Sequence, residues 1–83
     1  MAAEISILGR VISLLSSQPT DEAIIALKAT EAEEERVDYL ANLKNEGAIT
    51  KEEREELYNA LLAEYVIGIV KSNAFARMNN KAN

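Results

Sequence analysis

Carboxylates are the only reactive side chains this sequence holds in number. There are 14 Asp and Glu against 9 Lys and Arg, a net charge of −5, and no cysteine, histidine or tryptophan. That inventory excludes a disulfide framework, a zinc finger, a thiol nucleophile and an imidazole base. Paired carboxylates can exchange protons or hold a divalent cation, so Glu31, Glu34, Glu35 and Asp38, then Glu52, Glu53 and Glu56, are the groups to weigh. Carboxylate-only cation sites present their ligands from a loop or a walled pocket. These two sets fall in helix-forming, solvent-loving runs, and no Asp/Asn-rich calcium loop surrounds Gly47. They read as solvated helix faces, with an acidic docking surface as the other possibility. Gly9, Gly47 and Gly68 stand alone, so neither a P-loop nor a dinucleotide fingerprint can be drawn. Ser16, Ser17 and Thr50 are hydroxyls without a base and read as helix caps. The expectation is no catalytic residue, no metal and no cofactor.

The elements around these groups are helical. The chain is 83 residues long and 48% hydrophobic, enough for one small domain and too apolar for disorder. A first helix over about 3–16 carries apolar residues at 5, 8, 12 and 15 and a second row at 7, 11 and 14. It stops before Pro19, because proline disfavours helical geometry at the residue preceding it. A second helix over about 20–45 starts at Thr20, with Asp21 and Glu22 at the positive end of its dipole. One continuous helix is the preferred reading, since no breaker interrupts a run rich in Ala, Glu and Arg. The capping box Thr30-x-x-Glu33 leaves open two helices meeting near Ala29. Gly47 ends this stretch, being free to take the left-handed position past a helix end.

A third helix over about 50–75 begins at Thr50, with Glu53 three residues on, and carries Leu57, Tyr58, Leu61, Leu62, Tyr65, Val66 and Ile69 at spacings of three and four. Residues 65–70 taken alone suit a buried strand, but the helical pattern runs into them without a turn signal. Residues 1–78 thus read as one all-α, three-helix domain, with helices 2 and 3 as an antiparallel hairpin and 79–83 as a tail.

Residues 39–62 resemble the short C-terminal oligomerisation (SHOCT) hairpin, in which a leucine-bearing helix ends at a glycine and an Ile-Thr pair caps a second, acid-first helix. Leu40, Leu43, Gly47, Ile49, Thr50, Glu52, Glu53, Leu61 and Leu62 match that pattern, while Arg54 stands where the family shows an aromatic residue. The resemblance implies self-association and adds no catalytic residue. Much of it is also what any helical hairpin needs at its turn.

Surplus apolar surface is the informative feature. Helix 1 has two apolar rows, and helix 3 is apolar nearly all round between Leu61 and Val70. Three helices can bury one face each, not the whole girth of two, and an uncovered remainder marks a binding surface. The expected core or interface residues are Leu57, Leu61, Tyr65, Val66 and Ile69, with Ile5, Leu8 and Ile12 on the helix that packs against them. The function expected is a non-enzymatic protein-interaction module, a homo-oligomerising adaptor or small regulator whose partner is a second copy, most simply as a dimer, or another protein. The alternative is a small transcriptional regulator or antitoxin touching DNA through Lys71, Arg77 and Lys81. An acidic chain makes nucleic acid the weaker expectation. Residues 5–15 imitate the apolar part of a secretory signal, but Glu4 precedes them and Arg10 interrupts them. The apolar run from Ala60 to Val70 contains Glu64 and is too short to span a bilayer. The chain reads as cytoplasmic.

Overall fold

The computed structural model describes residues 6–81. Among them the chain is all-helical, with no strand and four α-helices: α1 (Ile7–Ser16), α2 (Asp21–Ile25), α3 (Glu31–Asn45) and α4 (Lys51–Lys81). All four start at a hydroxyl. Ser6, Thr20, Thr30 and Thr50 each accept a hydrogen bond from the backbone N–H three residues on, at 3.0–3.1 Å. Such a cap is worth about 1 kcal/mol because the first turn of a helix has no other partner for its N–H groups. At Thr30 and Thr50 the box is closed, for the carboxylates of Glu33 and Glu53 accept the cap residues' own N–H groups. α3 ends as its glycine predicts. Gly47 sits at φ 73°, and Ala48 N–H reaches back to the Leu43 carbonyl at 2.9 Å.

Two expectations need correction. The stretch 20–45 is not one helix, because it breaks over residues 26–30, and the domain has four helices rather than three. Helix propensity alone favours continuity there, but three contacts override it. Thr30 caps α3 instead of continuing α2, Leu27 is buried, and Arg10 of α1 donates to the Lys28 carbonyl at 2.8 Å. The same guanidinium grips Glu33 through two hydrogen bonds of 2.7 and 2.9 Å. Arg10 thus bridges the break from outside the segment, engaging the Lys28 carbonyl before α3 and the Glu33 carboxylate within it. The last helix also runs on to Lys81, past the expected end at 75, so residues 79–81 of the expected tail are helical. Residues 65–70 lie within it and are helix, not strand. The start expected at residue 3 for the first helix, and Ile5 with it, falls outside the described residues.

α4 is the spine. Its 31 residues span about 46 Å at 1.5 Å per residue, close to the 52 Å long dimension of the molecule. α1, α2 and α3 each pack on α4 more than on one another. The face of α4 that receives them carries Leu57, Ala60, Ala63, Ile67 and Ala74, all buried. Ile7 and Val11 of α1 and Leu27 meet Ala60, Ala63 and Ile67 in the core, with Leu14, Leu15, Val37, Val66 and Val70 packed around them. Alanine at three of the five buried positions lets the short helices approach closely, and little else fills the space.

Three arginine–carboxylate pairs tie the helices in sequence. Arg10–Glu33 joins α1 to α3, Arg36–Glu56 joins α3 to α4, and Arg77–Asp21 joins α4 to α2, each at 2.7 Å. The Arg10 guanidinium, hydrogen-bonded to Glu33, holds that carboxyl below its ordinary pKa, and Arg36 does the same to Glu56.

Two outcomes follow. Ala63→Leu, which forces a larger side chain into the fully buried row, lowers the unfolding free energy by about 1–3 kcal/mol in urea titration. Glu33→Gln destabilises the fold by about 1 kcal/mol at pH 7, kept small by solvent around Arg10. Because the Glu33 pKa is lower in the folded chain, its contribution is full above the unfolded value near 4.3 and disappears as pH falls through the folded value. Thermal melts of the two proteins should therefore differ at pH 7 and converge at about pH 2.

Candidate interaction face

The side of α4 turned away from the three short helices is apolar. Tyr58, Leu62, Tyr65, Ile69, Ser72 and Ala76 are all exposed, and their spacing alternates four and three residues. That is the seam spacing of a coiled coil, which keeps a stripe facing one neighbour along several turns. Leu61, Gly68 and Phe75, seven residues apart, flank the stripe on one side and are exposed as well. Tyr65 is 68% exposed, the most of any large apolar residue among those described, and Leu62, Tyr58 and Phe75 stand at 50%. The buried row, Leu57, Ala60, Ala63, Ile67 and Ala74, lies on the opposite side of the same helix. Three of the five buried positions are alanine, beside Leu57 and Ile67, whereas the three aromatic residues of α4, Tyr58, Tyr65 and Phe75, are all exposed.

Gly68 is the irregularity in this face. It sits inside a helix, where glycine costs about 1 kcal/mol relative to alanine. A Cβ built there meets nothing within 4 Å, so no packing within the chain requires the glycine. The result is a shallow notch, walled by Tyr65, Ile69 and Ser72 with Glu64 and Asn73 at its ends. Residues 65, 68, 69 and 72 stand at i, i+3, i+4 and i+7, the four-residue hole that receives a knob from a facing helix.

The electrostatics of the face are plain. Glu64 is the only charged residue between Leu57 and Val70. At the N-terminal end, the Lys44 ammonium lies 5.6 Å from the centre of the Tyr58 ring, within cation–π range.

The expected site residues divide between core and surface. Leu61, Tyr65 and Ile69 come together on the outer face of α4. Leu57 is buried in the inner row, and Leu8 and Val66 are half-buried against the core. Ile12 is 55% exposed but stands on α1. The expected set omits Tyr58 and Leu62, which the alternation of four and three from residue 58 to 76 would have gathered, and Gly68 and Phe75, which flank that row.

Nothing comparable is assembled from the carboxylates. Among the described residues no group of three acidic side chains is placed to hold a metal ion. Glu33, Glu56 and Asp21 engage arginines, and Glu53 caps α4. A groove between α1, α3 and α4 has Leu8, Val37 and Ala60 on its floor and Arg36, Glu52 and Glu55 at its rim. Its two hydroxyls, Ser6 and Thr30, are already spent as helix caps, so it offers no activated nucleophile. At the basic end of the chain, Arg77 is bound to Asp21 and Lys71 is half-buried. Among the described residues no helix is long and apolar enough to cross a membrane.

Gly68→Ala should raise the unfolding free energy of the chain in dilute solution by about 0.5–1 kcal/mol, measured by urea titration followed at 222 nm, since the added methyl has open space and a better helix propensity. Comparison with family models, with curated proteins and with solved structures finds no match.

Proposed function

We propose that this chain is a non-enzymatic protein-interaction module that docks the outer face of α4 on an apolar helical surface, with a homo-oligomer, most simply a dimer, as its working form. The observation that carries this is the exposed row Tyr58, Leu61, Leu62, Tyr65, Ile69 and Phe75 on one helix. Monomeric surfaces show scattered apolar residues, whereas a contiguous row at coiled-coil spacing is the pattern by which helices recognise helices. In this reading α3 and α4 form an antiparallel hairpin that holds the face rigid. The resemblance of residues 39–62 to an oligomerisation hairpin points the same way. The acidic middle of the chain sets which partners approach, and the module works in the cytoplasm as an adaptor or as a regulator that occupies another protein's helical groove.

DNA contact through the basic end has less support, because Arg77 is occupied by Asp21 and the chain as a whole is acidic. An enzyme has the least support in this reading, because among the described residues Glu33, Glu56 and Asp21 are paired with arginines and Glu53 is engaged as a helix cap.

Light-scattering mass after size exclusion, over a wide concentration range, tests the proposal. Wild type should run as a dimer or larger, and Tyr65→Asp should shift the equilibrium toward monomer by at least tenfold in dissociation constant while keeping its helical circular dichroism. Tyr65 is the most exposed large apolar residue, so the charge has nothing within the fold to disrupt. A monomeric wild type at every concentration overturns self-association. An unchanged Tyr65→Asp assembly moves the interface elsewhere.

A further inference from the structure

Resting on that reading, we infer that the occupant of the face is a second copy of this chain, docked with the two α4 helices antiparallel about a two-fold axis at the level of Val66 and Ile67, so that Tyr65 of each copy fills the notch at Gly68 of the other.

The register comes from size matching along the row. An axis midway between 66 and 67 sets residue 65 opposite 68, 61 opposite 72, and 58 opposite 75. Tyr65 then faces Gly68, Leu61 faces Ser72, and Tyr58 faces Phe75. The two inner pairs each set a large side chain against a small one, and the outer pair closes the seam with two aromatic rings at each end. All of these side chains are exposed and therefore free to meet a partner. Parallel packing in register would set Tyr65 on Tyr65 and Gly68 on Gly68, crowding one level and leaving the notch void. Antiparallel packing also places the acidic start of α4, with Glu52, Glu53 and Glu55, beside the end of the other α4, which has no acid after Glu64. A parallel pair would lay the two acidic starts together.

The area is sufficient. Six large side chains about half exposed offer on the order of 100 Å² each, so two copies cover at most roughly 1,200 Å² from these residues, the lower end of what a stable interface buries. The row is neutral apart from Glu64 at its edge, which lets a chain of net charge −5 meet itself without setting like charges across the seam. An isologous contact of this kind closes at two copies and leaves no free end for further growth.

The absence of cysteine makes the arrangement directly readable. Tyr58→Cys chains mixed with Phe75→Cys chains should form a disulfide-linked dimer under mild oxidation, whereas neither variant alone should link to itself efficiently. Gly68→Leu, whose Cβ meets nothing within 4 Å in its own chain and whose branch fills the notch, should weaken the dissociation constant at least tenfold while keeping wild-type helicity. The swap Tyr65→Ala with Gly68→Leu should recover most of that loss. A wild-type dimer that links Tyr58→Cys to Tyr58→Cys, or that is indifferent to Gly68→Leu, overturns the antiparallel register and leaves the interaction module standing. A chain that stays monomeric overturns the register together with the self-association beneath it.

Discussion

Three short helices rest on one side of a long one, and that one-sided contact governs the rest of the molecule. α4 is 31 residues long, while α1, α2 and α3 have 10, 5 and 15. Helices so short cannot wrap a rod of that length, so they cover one face and leave the other bare. The covered face is built from Leu57, Ala60, Ala63, Ile67 and Ala74, and small side chains there bring the short helices close to the α4 backbone. Close approach is a gain in dispersion contact for every neighbouring Ile, Val and Leu. The covered face has room for Leu57 and Ile67 but not for α4's aromatic residues or for Leu61, Leu62 and Ile69. The latter stand in solvent on the opposite face, at coiled-coil spacing.

The break between α2 and α3 serves the same constraint. Broken at 26–30, the segment lays α2 and α3 on α4 as separate pieces and turns Leu27 into the core. Arg10 holds that geometry from α1, by way of the Lys28 carbonyl and the Glu33 carboxylate. One guanidinium thus stabilises the cap of α3, engages the carbonyl before it, and pins α1. Paired charges at half-exposed sites contribute little energy, yet they discriminate between two helical arrangements of similar propensity.

What could be read from the residues follows the range of the interactions. Thr20, Thr50 and Gly47 act within three or four positions, so the starts of α2 and α4 and the end of α3 were legible. Thr30-x-x-Glu33 was legible too, but as a signal competing with strong helix formers on either side. One contact that accompanies the break, from Arg10 to the Lys28 carbonyl, spans 18 residues of chain and leaves no local signal in the sequence. The candidate face was legible in part. Between Leu61 and Val70 the apolar residues surround the helix, and composition alone does not say which side turns inward. Leu57 was grouped with Leu61 and Tyr65 although it belongs to the inner row. Steps of four and three from Tyr58 separate the two sides, and that periodicity is visible only when the alanines are counted as core rather than as neutral filler.

A helix with two apolar faces couples association to folding. The inner row stabilises α4 through α1–α3, and its side chains are small enough that this core is modest for a chain of 83 residues. Any partner laid along Tyr58, Leu62, Tyr65 and Ile69 adds a second core to the same helix, and binding free energy then appears as resistance of the whole domain to unfolding. The coupling also runs the other way. Gly68 lowers the intrinsic helix stability of α4 midway along the outer row, where a partner would restore order most effectively.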